Sequence, residues 1–329
     1  MDNQRLFLFV ALSFVLLLLW QAWIEDYGPA PQTAPPAATA DTAPAATGAD
    51  LPAAPAEPMQ RETAVPEEIA LQTAQQVVVE TDVLRVVIDT SGGDLRQVDL
   101  LAYPLGTKPG AEPFRLLNPG LPNLFVMQSG LRTPDGEEPT HHVVYRAEQA
   151  HYRLADDADS VQVPLTWHSA EGVEVTKLFT FHRGSYEVDL EHRVTNGSGA
   201  DWRGRQYRQL QRTQVAETGQ STFIYTYMGG VLYSPEEKYE KIKFEDMLEQ
   251  DLDRTITDGW AAMIQHYFLG AIIPETGEAN RYYTKTLSGA RYVIGLISPQ
   301  RVVPAGTTAS FSNRLFIGPK LQDEMEQVA

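Results

Sequence analysis

Apolar and polar side chains alternate along most of the chain from residue 76 onward, in short runs separated by glycine, proline and polar residues. This alternation is typical of β-strands that bury one face. Residues 173–196 show it most clearly, because Arg183, Gly184 and Ser185 separate two alternating arms and predict a hairpin. The pattern predicts a mainly β domain over residues 76–317. Its strands are expected in QVVVET, LRVVID, LRQVDL, FRLL, NLFVM, HHVVY, HYRLA, SVQVPLTW, VEVTKLFTFH, SYEVDLEHRVT, RQYRQLQRTQ, STFIYTYMG, RYYTKTL, ARYVIGLIS, RVVPAG and TTASFSNRLFIG.

Two stretches of the domain break this pattern. The pattern changes at Lys238, and residues 241–252 carry apolar side chains at helical spacing. This predicts a short amphipathic helix with an apolar face made of Phe244, Met247, Leu248 and Leu252. Residues 260–273 are the most apolar part of the domain, and 14 residues are too few to span a bilayer comfortably. We therefore predict buried core strands there, with His266 as a core histidine.

The N-terminal region has a continuous apolar run of 19 residues, at positions 6–24, with no charged member. A helix over this run would be about 28 Å long, close to the thickness of the hydrocarbon core of a bilayer. A cleavable signal peptide would have a shorter apolar region and small residues directly after it, whereas two tryptophans occupy that place. We predict an uncleaved transmembrane anchor over residues 1–27, with membrane-embedded side chains that include Leu6, Phe9, Leu16, Trp20 and Trp23.

Charges on either side of the run predict its orientation. Arg5 precedes the run, and Glu25 and Asp26 follow it, so the positive-inside rule places the N-terminus in the cytoplasm and the main domain outside. Residues 28–75 are rich in alanine and proline and nearly free of aromatic residues. Because little apolar surface is available there to offset the entropy of ordering, we predict a disordered tether.

The closing segment, residues 318–329, changes pattern again. Pro319 suits the first turn of a helix, and the apolar residues that follow lie at helical spacing. This predicts the start of an amphipathic helix, in which the candidate functional interfacial residues are Leu321, Met325 and Val328.

Charge and composition exclude several classes of partner. The 329 residues include 26 Lys+Arg and 43 Asp+Glu, which gives a formal net charge of −17. Such a chain repels phosphates, so we expect no nucleic-acid partner and no wide adsorption to anionic lipid. The absence of cysteine excludes disulfides, thiol nucleophiles and thiolate metal ligands.

Residues able to carry chemistry are scattered rather than grouped. The seven histidines lack close metal-ligand spacing, and no nucleophile-elbow, P-loop or dinucleotide-binding motif is present. Two carboxylate pairs lie in polar contexts and are predicted to be solvated, namely Asp156 with Asp157 and Glu236 with Glu237. A basic run predicts a solvated strand face, formed by Arg203, Arg205, Arg208 and Arg212. We expect no catalytic residue, no cofactor and no metal.

Several segments together resemble one family. MDNQRLFLFVALSFVLLLLWQAW resembles the start of the YidC membrane-protein insertases of Gram-negative bacteria, and YSPEEKYEKIKF, GWAAMIQHYFLGAIIP and SNRLFIGPKLQDEM resemble the periplasmic domain and closing segment of that family. The resemblance implies a large periplasmic β-sandwich with a galactose-mutarotase-like fold and no known catalysis. It also implies a Gram-negative inner-membrane protein whose partners are the lipid bilayer, nascent inner-membrane proteins and the Sec translocon, including SecD–SecF.

The resemblance does not extend to the membrane core. In the family, five membrane helices follow the closing segment, with an essential arginine in a hydrophilic groove, whereas this sequence ends at Ala329. We therefore expect the anchor and periplasmic module of an insertase, to which no family site transfers. Two alternatives remain open. One is a membrane-tethered carbohydrate-binding or mutarotase-like domain, with His266 as the candidate histidine beside a carboxylate. The other is a periplasmic holdase chaperone with an apolar cleft for unfolded clients.

Overall fold

The computed structural model describes residues 71, 73–108, 110–214 and 227–320. In chain order the strands are β1 (Gln76–Glu80), β2 (Leu84–Asp89), β3 (Asp94–Pro104), β4 (Pro113–Leu117), β5 (Phe125–Arg132), β6 (Arg146–Ala147), β7 (His151–Arg153), β8 (Ser160–His168), β9 (Val173–His182), β10 (Glu187–Asn196), β11 (Trp202–Thr213), β12 (Met228–Ser234), β13 (Lys238–Ile242), β14 (Asp253–Thr257), β15 (Trp260–Gln265), β16 (Phe268–Pro274), β17 (Ala279–Leu287), β18 (Arg291–Ile297), β19 (Arg301–Val303) and β20 (Thr308–Pro319). One helix, α1 (Phe244–Glu249), lies between β13 and β14.

Two sheets pack face to face as a β-sandwich. The 11-stranded sheet follows the order β14-β17-β18-β11-β5-β3-β2-β1-β7, with β19 beside β11 and β4 beside β3. The 9-stranded sheet follows the order β13-β12-β15-β16-β20-β10-β9-β8-β6. The mainly β fold expected from the alternating pattern is therefore confirmed. Within the described residues, no helix is long and apolar enough to cross a membrane.

The predicted hairpin at residues 173–196 is confirmed as β9 and β10, which pair antiparallel. Along β9 every second residue is buried, and β10 shows the same alternation over most of its length. Gly184 adopts φ 67° in the turn, a conformation that glycine reaches without steric cost. Its N–H also donates to the Asp82 carboxylate at 2.9 Å, which ties this turn to the one between β1 and β2.

The apolar stretch at residues 260–273 is confirmed as two core strands, β15 and β16. Trp260 and Ile272 are almost completely buried. The sheets approach closely here, since a side chain added at Gly270 would lie 3.2 Å from the Phe125 ring of the opposite sheet. The expectation of a core histidine is wrong, however. His266 lies in the turn between the two strands, half-buried and with φ 56°, because the chain must reverse direction there.

The predicted helix at residues 241–252 is shorter than expected. Its first two residues belong to β13, which pairs with β12, and the helix α1 covers six residues. Because the helix has fewer than two turns, it buries only Phe244 and Met247 in the core. The Phe244 ring stacks on that of Tyr292 of β18, with 4.4 Å between ring centroids. Leu248 is exposed, and Leu252 lies after the helix, so their assignment to its apolar face is wrong.

Two further expectations about single segments are wrong. The segment HHVVY forms no strand beyond an isolated bridge between Ser91 and Val144. Its backbone instead forms hydrogen bonds with the turn between β2 and β3 and with the side chain of Tyr207. The Tyr207 hydroxyl accepts the backbone N–H of His141 at 2.8 Å, so this segment covers the outer face of β11. Pro319 does not begin a helix, since it is the last residue of β20 and pairs with Phe268.

Candidate functional site

The site residues predicted from the sequence lie outside the described residues. These are the anchor residues Leu6, Phe9, Leu16, Trp20 and Trp23 and the interfacial residues Leu321, Met325 and Val328. Their roles remain predictions.

The basic run on β11 is one place where the structure corrects the sequence-based expectation. Arg203 is exposed and Arg205 half-buried, but Arg208 and Arg212 are buried. The prediction of a solvated face is therefore wrong for Arg208 and Arg212, the second half of the run. The reason is that β11 lies between β5 and β18 in the 11-stranded sheet, so its central residues have the other sheet on one side and covering segments on the other.

Arg208 is the centre of a buried polar layer between the two sheets. Its Nη1 donates to Gln206 Oε1 at 2.7 Å, and its Nη2 donates to Asn280 Oδ1 at 3.1 Å and lies 3.8 Å from Glu278 Oε2. Burial lowers the pKa of Arg208 to about 10, and the charge of Glu278 opposes this shift. The guanidinium is thus held in place by neutral amides and by one carboxylate at the limit of ion-pair distance.

His192 continues this layer on the 9-stranded sheet. Gln206 Nε2 donates to His192 Nδ1 at 2.7 Å and to Asn313 Oδ1 at 3.0 Å, while His192 Nε2 lies 3.5 Å from Ser129 Oγ. Burial lowers the pKa of His192 well below its ordinary value, and the positive charges of Lys177 and Arg208 lower it further. The imidazole is therefore neutral and fixed by an amide and a hydroxyl.

Lys177 forms the second buried cation of the layer. Its Nζ donates to the backbone carbonyls of Gly92 and Ser129, and it lies 5.0 Å from the centre of the Tyr145 ring. Burial lowers the pKa of Lys177 to about 8, although the nearby Asp94 carboxylate opposes the shift. These contacts join the turn between β2 and β3 to strand β5 and to the opposite sheet.

A small cavity adjoins this layer, with a volume of about 10 Å³, and is lined by residues such as Leu95, Ser129, Phe179, Arg208 and Leu315. That volume accommodates about one water molecule. Acid–base chemistry on a sugar needs a histidine and a carboxylate that converge in a cleft wide enough for a ring. His192 instead faces an amide and a hydroxyl, and His266 lies in a separate turn. The layer is thus suited to holding the two sheets together.

The two carboxylate pairs identified in the sequence lie at the surface of the domain. Asp156, Asp157, Glu236 and Glu237 are exposed, as the sequence predicts. Within the part of the chain that the structure describes, no group of three His, Asp or Glu residues is arranged to hold a metal ion.

Sequence reasoning missed a surface feature that we call the aromatic end, formed by Tyr103, Phe114, Tyr186, Tyr267 and Phe268. The Phe268 ring stacks on Phe114 at 4.3 Å and packs edge-on against Tyr103 at 5.3 Å, and Tyr103 lies 6.2 Å from Tyr186. These residues come from β3, β4, the segment before β10, the turn between β15 and β16, and β16 itself, so the cluster closes one end of the sandwich. Their wide separation in sequence gives no signal of the cluster.

Comparisons with known proteins agree with this architecture. A β-sandwich of the same kind occurs in a galactose mutarotase related enzyme from Lactobacillus acidophilus, with a TM-score of 0.50 over 75% of this chain and 99% of that chain. The identity between the two sequences is 9%, so the likeness shows the fold alone. The domain is therefore a galactose-mutarotase-like β-sandwich, as the resemblance implies.

The sequence comparisons are more specific. Residues 76–329 match the YidC periplasmic domain family. The chain is 44% identical over 331 residues to the membrane protein insertase YidC of Methylococcus capsulatus and 40% identical over 331 residues to that of Nitrosococcus oceani. Both alignments cover 100% of this chain and 60% of the relative. The chain belongs to the YidC family, and it spans about 60% of the length of these relatives.

Proposed function

We propose that this chain is the membrane-anchored periplasmic module of a YidC-type insertase, which assists the insertion and folding of inner-membrane proteins. The observation that carries the proposal is similarity along the whole chain to relatives named membrane protein insertase YidC. The described β-sandwich supplies a rigid domain for such a module, and the apolar run at residues 6–24 supplies a candidate anchor.

The proposed role of the domain is structural and non-catalytic. The closed polar layer around Arg208 supports this proposal, because His192 is held by an amide and a hydroxyl and the adjoining cavity accommodates about one water molecule. The mutarotase-like fold is shared at 9% identity, which gives no reason to transfer sugar chemistry. A galactose titration by calorimetry should therefore show no saturable heat.

The proposed partners are the lipid bilayer, nascent inner-membrane proteins and the Sec translocon with SecD–SecF, the last by resemblance. The N-terminus is proposed to be cytoplasmic and the domain periplasmic, because Arg5 precedes the apolar run and acidic residues follow it. Alkaline phosphatase fused after Pro66 should be active in this orientation. An inactive fusion at that position would contradict it.

The closing segment offers the sharpest test of the insertase role. We propose that Leu321, Met325 and Val328 form the apolar face of an interfacial helix. The chain should be extended with the membrane core of a close relative and expressed in a strain depleted of its own insertase. Leu321→Asp combined with Met325→Asp is expected to prevent complementation while the domain remains folded. The matched control, Gln322→Asp with Gln327→Asp, adds the same charges to the polar face and should complement.

Three outcomes distinguish the readings of this experiment. Failure of the unsubstituted extended chain to complement would overturn the proposed function itself. Full complementation by the apolar-face double variant would show that the segment is only a linker. Loss of folding together with loss of complementation would assign Leu321 and Met325 to the core of the domain.

A further inference from the structure

The aromatic end carries two projecting apolar side chains that the sandwich does not bury. Leu105, in the loop between β3 and β4, is 66% exposed, and Tyr267, in the turn between β15 and β16, is 71% exposed. Both lie close in sequence to rings that contact each other, because Tyr103 is two residues before Leu105 and Phe268 directly follows Tyr267. The two side chains therefore extend from neighbouring loops at the same end of the domain.

The structure gives this end a rigid base. The Leu105 N–H donates to the Glu112 carbonyl at 2.8 Å, which closes the loop between β3 and β4. The stacked rings of Phe114 and Phe268 join that loop to the turn between β15 and β16 across the two sheets. Preorganised loops of this kind can present apolar side chains to a partner without a further loss of loop entropy.

Basic side chains lie at the aromatic end. Lys108 is exposed in the loop between β3 and β4, and Arg115 on β4 pairs with Asp99 at 2.7 Å. Lys320 also places its ammonium 5.6 Å from the centre of the Tyr239 ring, a further partly exposed aromatic residue. An exposed ammonium group such as that of Lys108 favours contact with anionic headgroups, even though the formal net charge of the chain is −17.

The chain also leaves the described domain at this place. The N–H of Lys320, the last described residue, donates to the Tyr267 carbonyl at 2.6 Å. Lys320 therefore lies beside Tyr267, and the sequence pattern of Leu321, Met325 and Val328 that follows it suits an interfacial helix. A segment that starts here and lies along a membrane would hold the aromatic end against the same membrane.

We propose that the aromatic end, with Leu105 and Tyr267 at its tip, contacts the headgroup layer of the membrane to which the chain is anchored. The inference rests on the proposed function, which supplies the membrane anchor. It concerns a surface of the domain that the proposed function does not itself require. Tyrosine rings favour the membrane interface because one end of the ring is apolar and the other is polar. The contact would fix the orientation of the sandwich relative to the bilayer.

Because the chain has no cysteine, single-cysteine labels can test this contact in the full chain. Leu105→Cys and Tyr267→Cys would carry an environment-sensitive fluorophore. The matched control is Val144→Cys, which is 61% exposed and lies beside Ser91, before the start of β3 and so at the opposite end of the domain. The labelled chains would be reconstituted in vesicles of phosphatidylethanolamine and phosphatidylglycerol that contain a headgroup-spin-labelled lipid.

We expect at least about twofold stronger quenching by the spin-labelled lipid at positions 105 and 267 than at position 144, because interfacial side chains lie at headgroup depth. A label at Lys108→Cys should lose that quenching when Leu105→Asp and Tyr267→Asp are added. It should keep the quenching when Val144→Asp and Val302→Asp, at the opposite end, are added instead.

Chains that float with the vesicles but show equal, weak quenching at all three positions would overturn this proposal and leave the insertase module intact. A chain that does not float would contradict both the contact and the predicted anchor. Labels at positions 105 and 267 that respond to an added unfolded polypeptide and not to the lipid would show a client-binding surface and would also overturn the proposal.

Discussion

Buried ionisable side chains between the two sheets are the residues of this domain with the most unusual environment. Lys177 and Arg208 keep their charges by donating to backbone carbonyls and side-chain oxygens. His192 has no such option, because its neighbours are neutral groups and two cations. Each of these residues is fully buried, so the protonation equilibrium of the imidazole affects the stability of the fold directly.

We expect His192 to make the domain less stable as the pH falls. The unfolded chain binds a proton near pH 6.5, whereas the folded imidazole does so well below that value. Below about pH 6.5 the unfolded state therefore binds more protons, and lowering the pH from about 7.5 to about 5.5 should remove on the order of 1 kcal/mol of stability. Urea unfolding at both values would measure the loss.

The His192→Asn variant isolates this contribution, since asparagine keeps an acceptor for Gln206 Nε2 but does not titrate. Its pH dependence should be smaller than that of the original chain by about the same amount. His151→Asn, at an exposed position, is the matched control for the loss of one histidine. The same pH dependence in His192→Asn and in the original chain would show that the imidazole does not cause the loss.

Trp260 and Tyr267 allow a second comparison at the residue scale. Trp260 is 4% exposed and stacks on Tyr233 at 5.5 Å, so Trp260→Ala should reduce the free energy of unfolding by about 3–5 kcal/mol. Tyr267→Ala should change it by less than about 0.5 kcal/mol, because its ring is exposed and its backbone contact with Lys320 does not need the side chain. Phe268, which is half-buried, should fall between them. Similar urea midpoints for Trp260→Ala and Tyr267→Ala would contradict this assignment of the core.

At the scale of elements, the turn between β9 and β10 depends on a left-handed glycine. Gly184→Ala should cost about 1 kcal/mol, because φ 67° is unfavourable for a residue with a side chain. The nearest atom to an added Cβ is 3.9 Å away, so the cost is conformational and not steric. Gly199→Ala, in the next loop, meets no atom within 4 Å and should be nearly neutral. Thermal unfolding of the two variants measures the difference, and equal melting temperatures would contradict it.

Strands whose burial alternates are the elements that the sequence predicted most directly. β9 follows a strict alternation, and the hairpin it forms with β10 is where the pattern placed it. β18 and the centre of β11 are buried on both faces, so polar residues such as Arg208 occupied positions that looked solvated. HHVVY looked like a strand because its residues favour one, but its hydrogen bonds go to a turn and to Tyr207. Local pattern does not reveal which tertiary partner a backbone finds.

At the scale of the whole molecule, the family and the fold were accessible from the sequence, whereas the candidate sites were not. The family follows from segments of continuous sequence such as GWAAMIQHYFLGAIIP. The aromatic end combines Tyr103, Phe114 and Phe268, and the polar layer combines His192 and Arg208, so both depend on the order of strands in two sheets. Periodicity along the chain carries no information about that order.

The boundaries of the folding unit give the last prediction. We expect residues 71–320 to fold without the rest of the chain, because a large apolar core lies between the two sheets. Far-ultraviolet circular dichroism should be dominated by strands, and removal of residues 31–56 from the full chain should leave the melting temperature of the domain unchanged. A helix-dominated spectrum, or unfolding of the domain on that removal, would show that residues outside 71–320 belong to its core.

A shorter version spanning residues 76–317 should be less stable than 71–320 by about 1–2 kcal/mol, because it loses hydrogen bonds at both ends. Ala74 N–H donates to the buried Asp89 carboxylate at 2.8 Å, and Lys320 N–H donates to the Tyr267 carbonyl. The pairing of Pro319 with Phe268 would be lost as well. Equal urea midpoints for the two versions would contradict this expectation. They would show that residues 71–75 and 318–320 do not stabilise the fold.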